Sequence, residues 1–232
     1  MEQHEFLLLE WLRAPRLPFL SPHESLVVEY TWIAMAIIIA AVILVVARLK
    51  TMPGGMQNVF ESLTVFIEGY LAEIVGPQGL VYFPLVMSIM LFVLVASYLG
   101  LIPGMLSPTG YISTPAAVAI TVFIFYNYVG ISKKGLKYFK HFLGPVPVLA
   151  PIMIPIEIIS EFARPLSLTL RLFSNIFAGE TIIKMLFAAC AIAAPTIWML
   201  VDSIVTIPIQ GFVFSLLTMV YLSGAVASDE GH

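Results

Sequence analysis

Residues 26–47 read LVVEYTWIAMAIIIAAVILVVA, an apolar run closed by Arg48 and Lys50, with Glu29 as its single charge. A helix needs about 20 mainly apolar residues to cross the roughly 30 Å of hydrocarbon in a bilayer, and this stretch meets that length. Runs from about Leu80 to Ile102 and about Pro115 to Ile131 repeat the pattern, and two longer ones cover about Val148 to Ala193 and Pro195 to Ala227. The reading is an all-α, multi-pass membrane protein with about five membrane-embedded helices, the last two long and tilted. Composition agrees. Apolar residues make up 60% of the chain and charged residues 11%, against roughly 45–50% and about 25% in soluble domains; the mean hydropathy is +1.00.

Working outward, Thr51-Met52-Pro53-Gly54-Gly55 breaks the chain after the first span (26–50). Residues 56–76 then place Val59, Leu63, Phe66, Ile67, Tyr70, Leu71 and Ile74 on one side, with Glu61, Glu68 and Glu73 largely elsewhere. That periodicity predicts an amphipathic helix at the membrane surface or against other helices, not a span. The second and third spans fall within 80–132, joined by an uncharged loop from Pro103 to Gly110. The chain's basic cluster, Lys133, Lys134, Lys137 and Lys140, sits in a loop over 133–147. The positive-inside rule makes that loop cytoplasmic, along with Arg48 and Lys50. The N-terminal segment 1–25 is then exterior, with Arg13 and Arg16 mildly discordant, and the C-terminus is cytoplasmic. Residues 1–25 hold no apolar core for a cleavable signal, so the first span is expected to act as its own insertion signal. Residues 148–227 form a two-helix unit. Its first run exceeds a perpendicular span, so part of it is tilted, broken or re-entrant. Pro147, Pro151 and Pro155 predict an irregular entry, and Ala193-Ala194-Pro195 the hairpin. The whole of 1–232 reads as one membrane domain.

Several function classes drop out. No basic run with interleaved aromatics suggests nucleic acid. Cys190 lies alone in an apolar run and reads as a hydrophobic packer. His4, His23, His141 and His232 all fall outside the spans, and neither HExxH nor GxSxG occurs, which argues against an intramembrane protease. No cofactor or metal is expected. An independent ion channel or secondary transporter is the main rival reading, but no internal repeat or pair of broken helices supports it.

Charges cost about 2.5–3.5 kcal/mol each at the centre of a membrane helix. The first three spans carry almost none. The fourth run holds Glu157, Glu161, Arg164, Arg171, Glu180 and Lys184, and the fifth holds Asp202 and Gln210. At about 100° per residue, Glu157, Glu161, Arg164, Leu168, Arg171 and Asn175 fall within about 40° of one direction, and Glu180 lies about 140° away. Glu180 is therefore expected to face the last helix or an aqueous cavity. In the fifth run Ser203, Thr206 and Gln210 share a face, with Asp202 about 100° to the side. Glu157 and Glu161 have a plain alternative as ion-pair partners of Arg164, Lys184 as a residue reaching to the outer surface, and Gln210 as interhelical glue. Arg171, with helix before it and no interface nearby, has no such plain role.

The segment Pro165-Leu166-Ser167-Leu168-Thr169-Leu170-Arg171-Leu172-Phe173-Ser174-Asn175-Ile176-Phe177-Ala178-Gly179-Glu180 resembles the signature of subunit a of F-type ATP synthases, PLSLxLRLFGNxxAGE. The run from Ile209 to Leu222 resembles that family's last helix. The resemblance implies a stator subunit without a catalytic site of its own. It would pass protons through two aqueous half-channels to and from the carboxylates of a ring of c subunits, beside a peripheral-stalk subunit b, other ATP synthase subunits and membrane lipid. By motif, Arg171 resembles the essential arginine, Asn175 its neighbour, Gln210 the glutamine facing it, Glu180 the exterior carboxylate and Glu157 a glutamate near the cytoplasmic half-channel. Glu161 joins Glu157 as a candidate for the inner path. Ser174 replaces the usual glycine. Ser203 stands where some members have histidine, which leaves Asp202 or Ser203 to serve beside Glu180 in the outer path. Asn175 and Gln210 are expected to orient Arg171 by hydrogen bonding.

Overall fold

A computed structural model describes residues 22–47, 49, 54–102, 105–135, 150–189 and 193–226. These form α1 (Pro22–Ala47), α2 (Gly55–Ile74), a 3-10 turn at Pro77–Tyr82, α3 (Phe83–Leu99), a 3-10 turn at Pro108–Gly110, α4 (Ser113–Lys134), α5 (Ala150–Ala189), α6 (Ala193–Val201), a π turn at Asp202–Thr206, and α7 (Ile207–Val226). No strand occurs among the described residues. The segment up to residue 21, expected from sequence to be exterior, lies outside them, as do most of the basic loop and Cys190.

Four helical stretches are long and apolar enough to span a bilayer: Ser25–Ala47, Pro77–Leu99, Ser113–Lys133 and Pro195–Val226. To these α5 adds a fifth membrane-embedded helix, set apart from the others by its charges. It is one continuous helix of 40 residues running through Pro155 and Pro165. At 1.5 Å per residue this is about 60 Å, twice the hydrocarbon thickness of roughly 30 Å, so an apolar helix of this length lies steeply inclined. Of the irregular entry expected at Pro147, Pro151 and Pro155, Pro147 lies outside the described residues, and the other two are helical. Pro151 falls in the first turn, where no backbone donor is needed, and the helix carries Pro155 without breaking. The hairpin expected at Ala193-Ala194-Pro195 is displaced as well. Those residues form the first turn of α6, a position that suits proline, and residues 190–192 before them lie outside the described residues.

The core is the meeting of α3, α4, α5 and α7. Val86, Met90 and Val93 pack with Val122 and Tyr126, with Leu168, Leu172 and Ile176, and with Phe214, Met219 and Leu222. Helices in lipid gain no hydrophobic drive from meeting one another, so close backbone approach carries much of the packing. Gly211 supplies it: a Cβ there would stand 2.8 Å from Leu94 Cδ2 on α3. Helix α2 buries Ile67 and Leu71 in the same core and leaves Glu61, Glu68 and Glu73 exposed, as its amphipathic pattern predicts. Its Tyr70 and Phe66 pack against Phe212 of α7. Lys133, at the end of α4, donates to Gln78 Oε1 (3.4 Å) and stands over the Tyr82 ring, so α3 and α4 form an antiparallel hairpin. By contrast, α1 is only 11% buried over its best window and shows Ile39, Ile43 and Val46 outward.

Candidate functional site

Helix α5 divides into two faces along its length. Leu168, Leu172, Ile176 and Gly179 turn inward and are buried. Ser160, Ala163, Ser167, Arg171, Ser174 and Ala178 turn outward and are exposed. Spaced three and four apart, these outward residues form a stripe of small side chains with a single cation at its middle. Arg171 makes no hydrogen bond or ion pair with any other described residue. Asn175 is half-buried one turn on, and Gln210 is buried on α7. Neither hydrogen-bonds Arg171, contrary to the sequence-based expectation, because the guanidinium points away from the bundle into which Gln210 is packed. The small-residue stripe was not singled out from sequence, although Ser and Ala at helical spacing were there to be read.

Toward the N-terminal end of α5, Glu161 is buried at 6% exposure. It accepts the Tyr126 hydroxyl at Oε2 (2.6 Å) and the Arg164 guanidinium at Oε1 (2.8 Å). Arg164 lies over the Tyr221 ring, 5.7 Å from its centroid, and the rings of Tyr126 and Tyr221 meet at 5.8 Å. Side chains of α4, α5 and α7 are thus tied together around one carboxylate, and the plain alternative of an Arg164 pair describes Glu161. Glu157, one turn nearer the helix start, is half-buried.

The C-terminal end of α5 has different neighbours. Glu180 is half-buried against the 3-10 turn between α3 and α4: a Cβ on Gly110 would meet its Oε1 at 2.9 Å. Behind that turn the buried hydroxyls of Ser97, Thr109 and Ser107 form a chain, with Ser107 donating to the Ala96 carbonyl. The residue before Glu180 faces the last helix instead. A Cβ on Gly179 would stand 3.6 Å from Asp202 Oδ2, so the missing side chain lets the two helices close around that carboxyl. Thr206 hydrogen-bonds the Asp202 side chain. Lys184 is exposed.

The last helix corrects one expectation. Regular helical angles gave one face to Ser203, Thr206 and Gln210 and put Asp202 aside. In the structure Asp202 and Gln210 are buried, at 9% and 8% exposure, while Ser203 is half-buried and its hydroxyl donates back to the Leu200 carbonyl. The cause is the π turn at Asp202–Thr206. A regular helix would set Ser203 about 20° from Gln210 and Asp202 about 80° away. One residue's worth of extra winding rotates everything upstream by about 100°, bringing Asp202 to the face that Ser203 would have held.

The family described as "ATP synthase A chain" matches residues 28–223 of this sequence. The chain is 43% identical to "ATP synthase subunit a 2" of Syntrophotalea carbinolica, with 99% of each chain covered. It is 44% identical to "ATP synthase subunit a 3" of Pelobacter propionicus, again with 99% of each covered. To "ATP synthase subunit a" of Nitratidesulfovibrio vulgaris it is 46% identical over 85% of this chain and 84% of that one.

Proposed function

The chain belongs to the ATP synthase A chain family, and from that premise we propose that it passes protons to and from the carboxylates of a ring of c subunits through two separate aqueous paths, and so couples ion flow to rotation. Membership makes it a membrane-embedded component that works with other ATP synthase subunits. The observation that carries the finer reading is Arg171, exposed among the small outward side chains of α5. A cation at membrane depth is costly unless something meets it. Small neighbours let another helix approach closely enough for its carboxylate to do so.

The chemistry follows from charge. Arg171 supplies a permanent cation, because a guanidinium is not deprotonated in proteins. A neutral carboxyl can travel through lipid, whereas a carboxylate is held back by its desolvation cost. As a neutral ring carboxyl nears Arg171, the cation favours its ionised form, and the proton leaves into the inner path. The carboxylate passes the cation, takes a proton from the outer path and moves on into lipid. Each charge crossing 100 mV contributes about 2.3 kcal/mol. Glu180 with Asp202 serves the outer path, Glu157 the inner one, and Asn175 and Gln210 keep the surroundings of Arg171 polar. Glu161, already bound by Tyr126 and Arg164, holds the inner helices in register. The N-terminus lies outside and the C-terminus in the cytoplasm, with peripheral-stalk subunit b and lipid against the remaining apolar faces. No catalytic site is assigned to this chain.

Arg171→Ala tests the reading in membrane vesicles carrying the whole complex. Proton-driven ATP synthesis is expected to vanish while passive proton permeability rises. Synthesis at the unmodified rate refutes it.

A further inference from the structure

The geometry points to Tyr98 as a positioning residue for proton transfer. Its hydroxyl holds open the π turn that sets Asp202, rather than Ser203, beside Gly179. The inference deepens the proposed outer path and rests on that reading.

The π turn and Pro208 leave backbone carbonyls without their helical donors, and the Ser203 carbonyl is one of them. The Ile207 N–H, which would bond the Ser203 carbonyl in a regular helix, bonds Asp202 instead. The next donor along, the one a continuing π pattern would offer Ser203, belongs to residue 208. Residue 208 is proline and has no N–H. The Ser203 carbonyl is therefore left without a backbone donor inside a membrane helix, where unpaired polar groups are expensive. The Tyr98 hydroxyl, from the outer end of α3, donates to it at 2.7 Å. Pro208 and Tyr98 thus act together: the proline ring crowds the Ile204 carbonyl of a regular helix and withholds the N–H that a continuing π pattern would give Ser203, and the Tyr98 hydroxyl satisfies the carbonyl so exposed. π turns of a single turn recur at functional sites because they re-aim a side chain at modest cost. Here the re-aimed side chain is the Asp202 carboxyl, carried onto the Gln210 face and against Gly179. Tyr98 itself moves no proton; it fixes which of two adjacent residues faces the path.

The test measures ATP-driven proton uptake in vesicles carrying the whole ATP synthase, normalised to the amount of this chain in the membrane, with Arg171→Ala in parallel. Tyr98→Phe keeps the ring and removes only the donor, and flux is expected to fall about fivefold, the effect of one hydrogen bond on the balance between π and α windings. Exchanging the pair, Asp202→Ser with Ser203→Asp, is expected to silence flux in the native winding. Adding Pro208→Ala removes the ring that crowds the Ile204 carbonyl and restores the N–H that bonds it in a regular helix, lets the helix close, and is expected to recover flux by bringing position 203 to the path. Undiminished flux in Tyr98→Phe overturns the inference. So does an exchanged pair that works without Pro208→Ala, or one that assembles and stays silent with it. If the exchanged chains fail to assemble, Tyr98→Phe alone decides. Uptake that survives Arg171→Ala would instead sink the proposed function, so the two failures are distinguishable.

Discussion

A carboxylate as deeply buried as Glu161 survives only if donors replace its lost water. It has two, the Tyr126 hydroxyl and the Arg164 guanidinium, and a ring face against the cation. Removing one partner of such a group costs more than removing the group entirely, because the partner left behind stays uncompensated. Arg164→Met is therefore expected to destabilise the folded chain by about 3 kcal/mol, and Tyr126→Phe by about 1–3 kcal/mol. Combining both with Glu161→Leu should recover most of the loss. Thermal unfolding of the purified chain in detergent checks this, and a triple variant as weak as Arg164→Met would contradict it. At this scale the sequence spoke unevenly. The three-residue spacing of Glu161 and Arg164 announced their pairing, since it places both on one helix face. Tyr126 and Tyr221 gave no warning, because contacts between separate spans leave no periodicity to read.

Elements were legible where a single rule governs them and obscure where two compete. Hydropathy alone located α1, α3 and α4, and the apolar stripe of α2 distinguished it from a span. Proline rules misled over α5, whose helix runs through Pro155 and Pro165 because water and side chains can satisfy the carbonyls that proline leaves free. Thr169 shows the compensation at hand, its hydroxyl bonding the Pro165 carbonyl at 2.8 Å. The π turn was invisible to angular reasoning, which presumes about 100° at every step; Pro208 was its one written trace. Between α3 and α7, Gly211 stands close against Leu94. Gly211→Leu is expected to push α3 and α7 apart and cost about 1–3 kcal/mol, as overpacking does in a filled core. Shortening Leu94 to Ala in the same chain should return part of it. Detergent-resistant assembly of the complex, compared across the single and double variants, measures the effect; a harmless Gly211→Leu would contradict the packing described.

Across the whole molecule, the polar residues of α5 divide by depth. Glu161 and Glu157 lie toward the end of the bundle marked by Lys133 and Gln78, Glu180 and Asp202 lie beside the turn between α3 and α4, and Arg171 stands between them on the outward face. If the two ends serve separate paths, a proton that leaks when Arg171 is removed must still use both. A second substitution in either path should then throttle the leak rather than add to it. Arg171→Ala is expected to raise the passive proton permeability of vesicles holding the complex, read with a pH-sensitive dye under an imposed potential. Adding Glu180→Gln should lower that leak about tenfold, less than the ~100-fold typical of a sole transfer group, because Asp202 remains beside Gly179. Adding Asp202→Asn as well should bring it close to that of membranes lacking the complex. A leak indifferent to Glu180 and Asp202 would mean that the breach at position 171 opens straight through the bundle, with no need for an outer path at all.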